Sequence, residues 1–348
     1  MSFEFSFSKS LPSLLYRLNL SVMFTTYQAN RVVILNPTDD SLQCLVRYFP
    51  RPMGIAKHGD LLSIAMKDHI ATFKQSKKLA FEYPSKPGQY DSLFFPLSVH
   101  FTGKMDAHDI CYTEHGLVAV STAYNCLSKI GNQYSFEPIW KPDFIDQIFP
   151  TDRCHLNGLA VNENGQLAFA TSFSDTNTYF GWKQKKQCGL LFDLRRKTIL
   201  CNNLQMPHSP RLIGKWLYLL ESLAETLVKI DVLTGEKEVL HKFNGFVRGM
   251  DIVGNYAFIG ISKFREESLT NLGIEVDNSN VVPSLVVFDL NRGFALGEIE
   301  FHSDIEEIYD VKCIQNTSKL NILNSTEIDG YNPIDTPSLT GWFKTKEG

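Results

Sequence analysis

The 348-residue sequence predicts an all-β fold, a six-bladed β-propeller closed by pairing a C-terminal strand with the N-terminal strands. Three observations carry this expectation. A short apolar strand, a turn with Gly or Asn, a stronger strand and a third strand recur along the chain. Successive starts lie roughly 40 to 60 residues apart, the period of four-stranded propeller blades. Apolar and polar residues alternate on both sides of turns in "KIDVLTGEKEVL" and "VFDLNRGFALGEI", as half-buried antiparallel strands require. Finally, the two ends of the array are incomplete in complementary ways. A pair of sandwiches would give no reason for six similar starts.

Taken in order, residues 8–18 suit a short helix outside the ring. Residues 22–49, "VMFTTYQANRVVILNPTDDSLQCLVRYF", supply three strands with no first strand before them. Complete blades start near Met53, His108, Asn157, Ser209 and Arg248. "IYDVKCI" at 308–314 is a first strand with no blade after it. Pairing it with 22–28 closes the ring and removes two exposed sheet edges. Within the blades, "PDFIDQIF" at 142–149 has a proline followed by an apolar rhythm, the pattern of one or two helical turns. Two polar insertions stand out, 174–187 in the fourth blade and 262–280 between strands two and three of the sixth. Long connections of this kind often carry function, so Lys263, Arg265 and Glu266 either fold over the channel mouth or belong to a solvated loop. Trp182 reads as a lid anchor or an ordinary packing residue. The expected organisation is a single propeller domain over 1–348, with blades at about 22–315, an extension at 1–20 and a loosely packed tail at 316–348.

Composition narrows the function classes. With 43% hydrophobic and 21% charged residues the chain reads as an ordinary globular protein. A net charge of −4 gives no basic excess for nucleic acid. No apolar run approaches the length of a membrane span, and the N-terminus lacks the basic start of a signal peptide. The seven cysteines are scattered without CxxC spacing, as reduced buried thiols in a cytoplasmic protein are. The expected partners are a small-molecule or peptide ligand, with no nucleic acid and no membrane. Oligomeric state is not readable. There is no phosphate-binding glycine loop, no Gly-x-Ser-x-Gly elbow and no His-Glu-x-x-His motif.

In a propeller the first strand of each blade lines the central channel, so residues at the starts of these strands converge. Around the ring they are Arg51 and Met53; Asp106, His108 and Asp109; Arg153, His155 and Asn157; His208 and Arg211; Arg248; and Glu307, Tyr309 and Asp310. A purely structural channel needs no such density of ionisable groups. His155, His208 and His108 are the candidate acid–base residues. Arg153, Arg211 and Arg248 are candidate donors to a carboxylate or phosphate, with Asn157 and Tyr309 beside them. His155, His208, Arg211 and Arg248 are expected to face one cavity, "HSPR" forming a rigid turn that holds two of them. Asp109 and Asp310 either accept backbone N–H bonds where strands begin or bind a metal. Cys154 points away from its neighbour His155 and reads as buried.

"TTYQANR", "RPMGIA", "DRCHLNGLA", "MPHSPR", "RGM" and "YDV", in this order, resemble a family of bacterial proteins described as a domain of unknown function. The resemblance covers roughly residues 20–315 and implies no activity. A fainter resemblance runs to the calcium-dependent lactonase propellers of the gluconolactonase and senescence-marker type, in which the asparagine of an "NGLA" strand helps bind a divalent metal. That resemblance implies a metal role for Asn157, with Asp109, Asp310 and Glu307 as further oxygen ligands for a divalent cation such as calcium. The early glutamate of those enzymes has no counterpart here. Three functions follow: a pocket that binds, and in one version transforms, a small or peptide-like anion; a metal-dependent lactonase-like hydrolase; and a non-catalytic protein- or peptide-binding scaffold.

Overall fold

The computed structural model describes residues 4–344 except 186, 271 and 272, and the backbone alone at 267 and 268. Six antiparallel blades stand in a ring. Blade one is Leu20–Thr26, Arg31–Pro37 and Leu42–Tyr48, with Asp310–Gln315 as its innermost strand. Leu20 pairs with Gln315 and Thr25 with Asp310, so the ring closes by the predicted strand pairing, each strand starting two residues from its expected position. The innermost strands of blades two to six are Ile55–His58, Ala107–Thr113, Leu156–Val161, Pro207–Ile213 and Phe246–Val253.

Alternation along each strand gives every blade two apolar faces, and each face packs on a neighbour. Six apolar clusters result, one between each adjacent pair of blades. Phe94 and Ile34, for example, join blades one and two, while Phe169 and Leu219 join blades four and five. Burying such side chains contributes about 1.5–3 kcal/mol each, and no blade can bury its faces alone. The third strands of blades four, five and six end in Asp193, Asp231 and Asp289. Each accepts N–H bonds from the following turn, at 2.8–3.0 Å.

A second set of aspartates ties the innermost strands to one another. Asp109 accepts from the Leu159 N–H of the next blade at 3.1 Å. Asp251 accepts from Cys313 N–H at 2.9 Å, and Asp310 from Ile55 N–H at 2.8 Å. The closing strand is therefore clamped on both sides. Gly249, at φ +74°, lets these strands approach: a Cβ there would lie 2.8 Å from Asp310 Cα.

Outside the ring, Leu11–Arg17 forms the expected helix, with Pro12 in its first turn and Leu11 and Leu15 buried between blades one and six. Phe5–Phe7 adds a fifth strand to blade six. Residues 142–149 do not form the predicted helix. Ile145 and Phe144 anchor this loop in the core, and a single turn gains too few bonds to offset its nucleation cost. The tail also departs from expectation. Leu320–Ile322 pairs parallel with Ser92–Phe94, and the hairpin Tyr331–Asp335/Thr340–Lys344 docks Trp342 against Tyr83, its indole N–H donating to the Leu79 carbonyl at 2.9 Å. The tail's polar composition is used up locally: Asp91 accepts from the Ser318 and Lys319 N–H groups and the Thr317 hydroxyl. Residues 345–348 of that tail and 1–3 of the N-terminal extension lie outside the described residues. Among the described residues no helix is long and apolar enough to cross a membrane.

Candidate functional site

The side chains at the channel mouth are presented by a repeated kink. In blades two, three and five a non-glycine residue with φ of +46° to +52° precedes the mouth residue by two positions: Arg51 before Met53, Asp106 before His108, Met206 before His208. Each such conformation costs on the order of 1–3 kcal/mol. In two of the blades the kinked residue's carbonyl then accepts from the histidine, with His108 Nδ1 3.0 Å from Asp106 O and His208 Nδ1 3.0 Å from Met206 O.

These acceptors fix the tautomers. The Ser222 hydroxyl donates to Val247 O at 2.5 Å, so its oxygen also accepts from His208 Nδ1 at 2.6 Å. The proton of a neutral His208 therefore sits on Nδ1 and the Nε2 lone pair is free, and the same holds for His108. Burial first, then the nearby His155 and Arg248, holds the His108 imidazole well below the usual histidine range. Burial followed by Arg248 and His155 does so for His208. His155 lies between them in the ring, its Nδ1 2.9 Å from Asp152 Oδ2, which also accepts the Trp182 indole N–H at 2.8 Å. No hydrogen bond engages the Nε2 of His108, His155 or His208 among the described residues.

Opposite the histidines stands a cationic wall. Arg248 is 6% exposed and its guanidinium carbon lies 3.3 Å from the centre of the Tyr309 ring. Glu307 Oε1 approaches Arg248 Nη1 at 3.5 Å and is hydrogen-bonded by Arg265. Glu307 Oε2 and the Tyr309 hydroxyl are buried with no hydrogen-bond partner among the described residues. Burial pushes the Tyr309 phenol up, so it stays protonated, and burial with Asp152 nearby raises Asp106. Together these groups line a cavity of about 260 Å³, whose apolar walls are Met53, Phe173, Trp182, Met206, Phe246 and Leu269.

Both insertions reach this cavity. Trp182 from 174–187 and Phe264, Leu269, Ile274 and Val276 from 262–280 meet in one apolar cluster with Met206 and Phe246. They roof the mouth. A more polar vestibule of about 540 Å³ adjoins it and shares Lys263, Arg265 and Glu307 with it.

The structure brings together His108, His155, His208, Arg248, Glu307 and Tyr309. It does not bring Arg211 to them. "HSPR" lies within a strand, and a strand advances about 3.3 Å per residue, so three residues carry Arg211 toward the other end of the channel. There it lies 3.6 Å from both Asp109 and Asp310 and donates to Met250 O at 2.8 Å. Arg153 is drawn outward, held by Asp146, Asn177 and Thr151. Asn157 is buried at a blade junction, donating to Pro207 O and accepting from Thr171. The oxygens of Asn157, Asp109 and Asp310 are thus engaged within the channel while Glu307 stands at the mouth. Among the described residues no three His, Cys, Asp or Glu side chains group as a metal site. Cys154 is buried between blades three and four, as expected.

Sequence reasoning missed Asp152, Phe173, Met206, Phe246 and Lys183 as lining residues. Asp152 sits three residues before His155, a spacing that offered a signal. Phe173 and Phe246 carry none beyond apolar character.

Fold and cavity define a six-bladed propeller with a roofed polar chamber at one end of its channel. The chain belongs to the family described as a domain of unknown function (DUF4915), which it matches over residues 9–323. No curated protein matches the sequence. Among solved structures it is similar to a chain of the nidogen/laminin complex, with a TM-score of 0.55 and 9% identity, over 85% of this chain and 99% of that one. At that identity the similarity concerns the fold alone. These comparisons do not confirm the fainter likeness to the lactonase propellers.

Proposed function

We propose that the channel mouth binds a small anionic ligand, free or at the end of a peptide, through Arg248. The observation that carries the reading is the state of that guanidinium: buried, stacked on Tyr309, and hydrogen-bonded to no acceptor among the described residues. A buried cation with one imperfect partner is costly. A carboxylate or phosphate on its open side supplies the missing charge-assisted bonds. Arg265, Lys263 and Lys183 line the same chamber and add to the attraction. A propeller supports binding or scaffolding in general, and the chamber is what favours a small ligand over a flat protein surface.

A second reading, that the ligand is also transformed, draws on the Asp152–His155 pair. A carboxylate behind Nδ1 orients the imidazole, leaving Nε2 to take a proton from bound ligand. For the binding itself, calorimetric titration with acetate and inorganic phosphate is the direct test. Arg248→Ala should weaken binding by about 2–5 kcal/mol, the range for cutting a buried charged contact. Equal binding by wild type and Arg248→Ala, or no binding of either probe at millimolar concentration, refutes the reading.

A further inference from the structure

Resting on the anion-binding reading above, we infer that the ligand carries hydroxyl groups beside its carboxylate or phosphate: a hydroxylated acid rather than a simple or an amino acid. The chamber is divided by hydrogen-bonding character. One side offers donors, chiefly Arg248 and Arg265. The other offers acceptors, the Nε2 lone pairs of His108 and His208, whose Nδ1 protons are already committed to Asp106 O and to Met206 O with Ser222. A ligand with an anion alone would desolvate these acceptors and leave them unpaired, a loss of the kind that makes polar sites reject deoxy analogues.

The donor on the ligand is a neutral one. Arg248 is close enough to depress both imidazoles, and Lys183, Lys263 and Arg265 stand on the same walls. An ammonium placed against His108 or His208 would meet these like charges. Three carboxyl groups stand on the walls against these four cations. Asp152 is engaged by His155 and Trp182, and burial raises Asp106. Glu307 has Oε1 on Arg265 and Oε2 buried without a partner among the described residues. A hydroxyl donates to an imidazole without that repulsion. Phe173 and Trp182, packed edge to face with ring centres 5.6 Å apart, give the chamber an apolar wall for the C–H surface of a short hydroxylated chain.

The test is calorimetry on the full chain with matched probes. One arm compares propanoate, lactate, glycerate and alanine; the other compares propyl phosphate with glycerol phosphate, which separates carboxylate from phosphate sources of the same chemistry. Each added hydroxyl should tighten binding about tenfold, and alanine should bind more weakly than lactate. His208→Phe and His108→Phe should erase the hydroxyl preference, so that each variant binds propanoate, lactate and glycerate within a few-fold of one another. The imidazole ¹⁵N spectrum of the wild type provides a second readout, in which the Nε2 resonances of His108 and His208 shift with glycerate and not with propanoate. Binding that requires Arg248 but ignores hydroxyls, or that favours alanine over lactate, overturns this inference alone. Failure of every probe to bind overturns the anion reading and this one with it.

Discussion

Replacing Asp251 with alanine tests what holds the ring shut. Asp251 is buried on the innermost strand of blade six, and both its oxygens reach the closing strand. Oδ1 accepts from Lys312 Nζ at 3.0 Å and Oδ2 from Cys313 N–H at 2.9 Å. Alanine removes the partner of a largely buried ammonium, a change that costs about 3–5 kcal/mol. It also leaves a buried N–H unpaired, worth about 1–3 kcal/mol where water is excluded. The Lys312 side chain is 23% exposed toward the far end of the channel, so water recovers part of the first loss. The expected total is therefore about 3–5 kcal/mol rather than the sum. Asp251→Asn keeps an acceptor for Cys313 and should cost less. Asp251→Ala combined with Lys312→Met should regain much of the loss, because the orphaned charge is gone. Urea unfolding, with slopes compared to confirm an unchanged transition, measures all three. A loss below about 1 kcal/mol for Asp251→Ala, or no recovery in the double variant, would refute the clamp.

Truncation before Ile308 removes the innermost strand of blade one and should abolish cooperative unfolding; a truncated chain that melts near the parent temperature refutes closure by strand pairing. Acid should destabilise the protein through its mouth histidines. His108 and His208 stay neutral when folded, with His155, Arg248 and Arg265 around them, whereas the unfolded chain takes up protons below its ordinary value of about 6.5. The unfolded state then binds more protons, so stability falls as pH drops below that point, by up to about 1.4 kcal/mol per unit for each histidine, and neither contributes above it. His208→Phe should remove its share of that slope in urea titrations between pH 7.5 and 5.5, and an unchanged slope would contradict the assignment.

The ring was legible because repetition is a property of the chain itself. Strand starts near Met53, His108, Asn157, Ser209 and Arg248 fall within a few residues of the observed innermost strands, and the half-blades at the ends predicted each other. Height along the channel was legible only to within about one turn of strand. His208 and Arg211 belong to one short motif, yet three residues and an irregular register between them separate mouth from far end. Asp109 and Asp310 carry the same signature whether they bind a metal or cap a neighbouring strand, since both uses need an acidic oxygen near an N–H. Arg153 was lost to Asp146, a partner whose position depends on how the 142–149 loop folds. The cluster that joins the two insertions was out of reach, because loop-to-loop contacts across blades leave no periodic trace.

The ionic belt of Arg211, Asp109, Asp310, Asp251 and Lys312 has a consequence for traffic. The roofed chamber and the cavity at the opposite end share no lining residue. A propeller is often drawn as a tube, but here Arg211 of blade five reaches across it to Asp109 of blade three and Asp310 of blade one, toward the far end. A ligand that comes and goes on the roofed side of the belt passes the vestibule and the two insertions. Substitutions in the roof should then slow or speed arrival and departure in step, leaving the equilibrium affinity to the walls within.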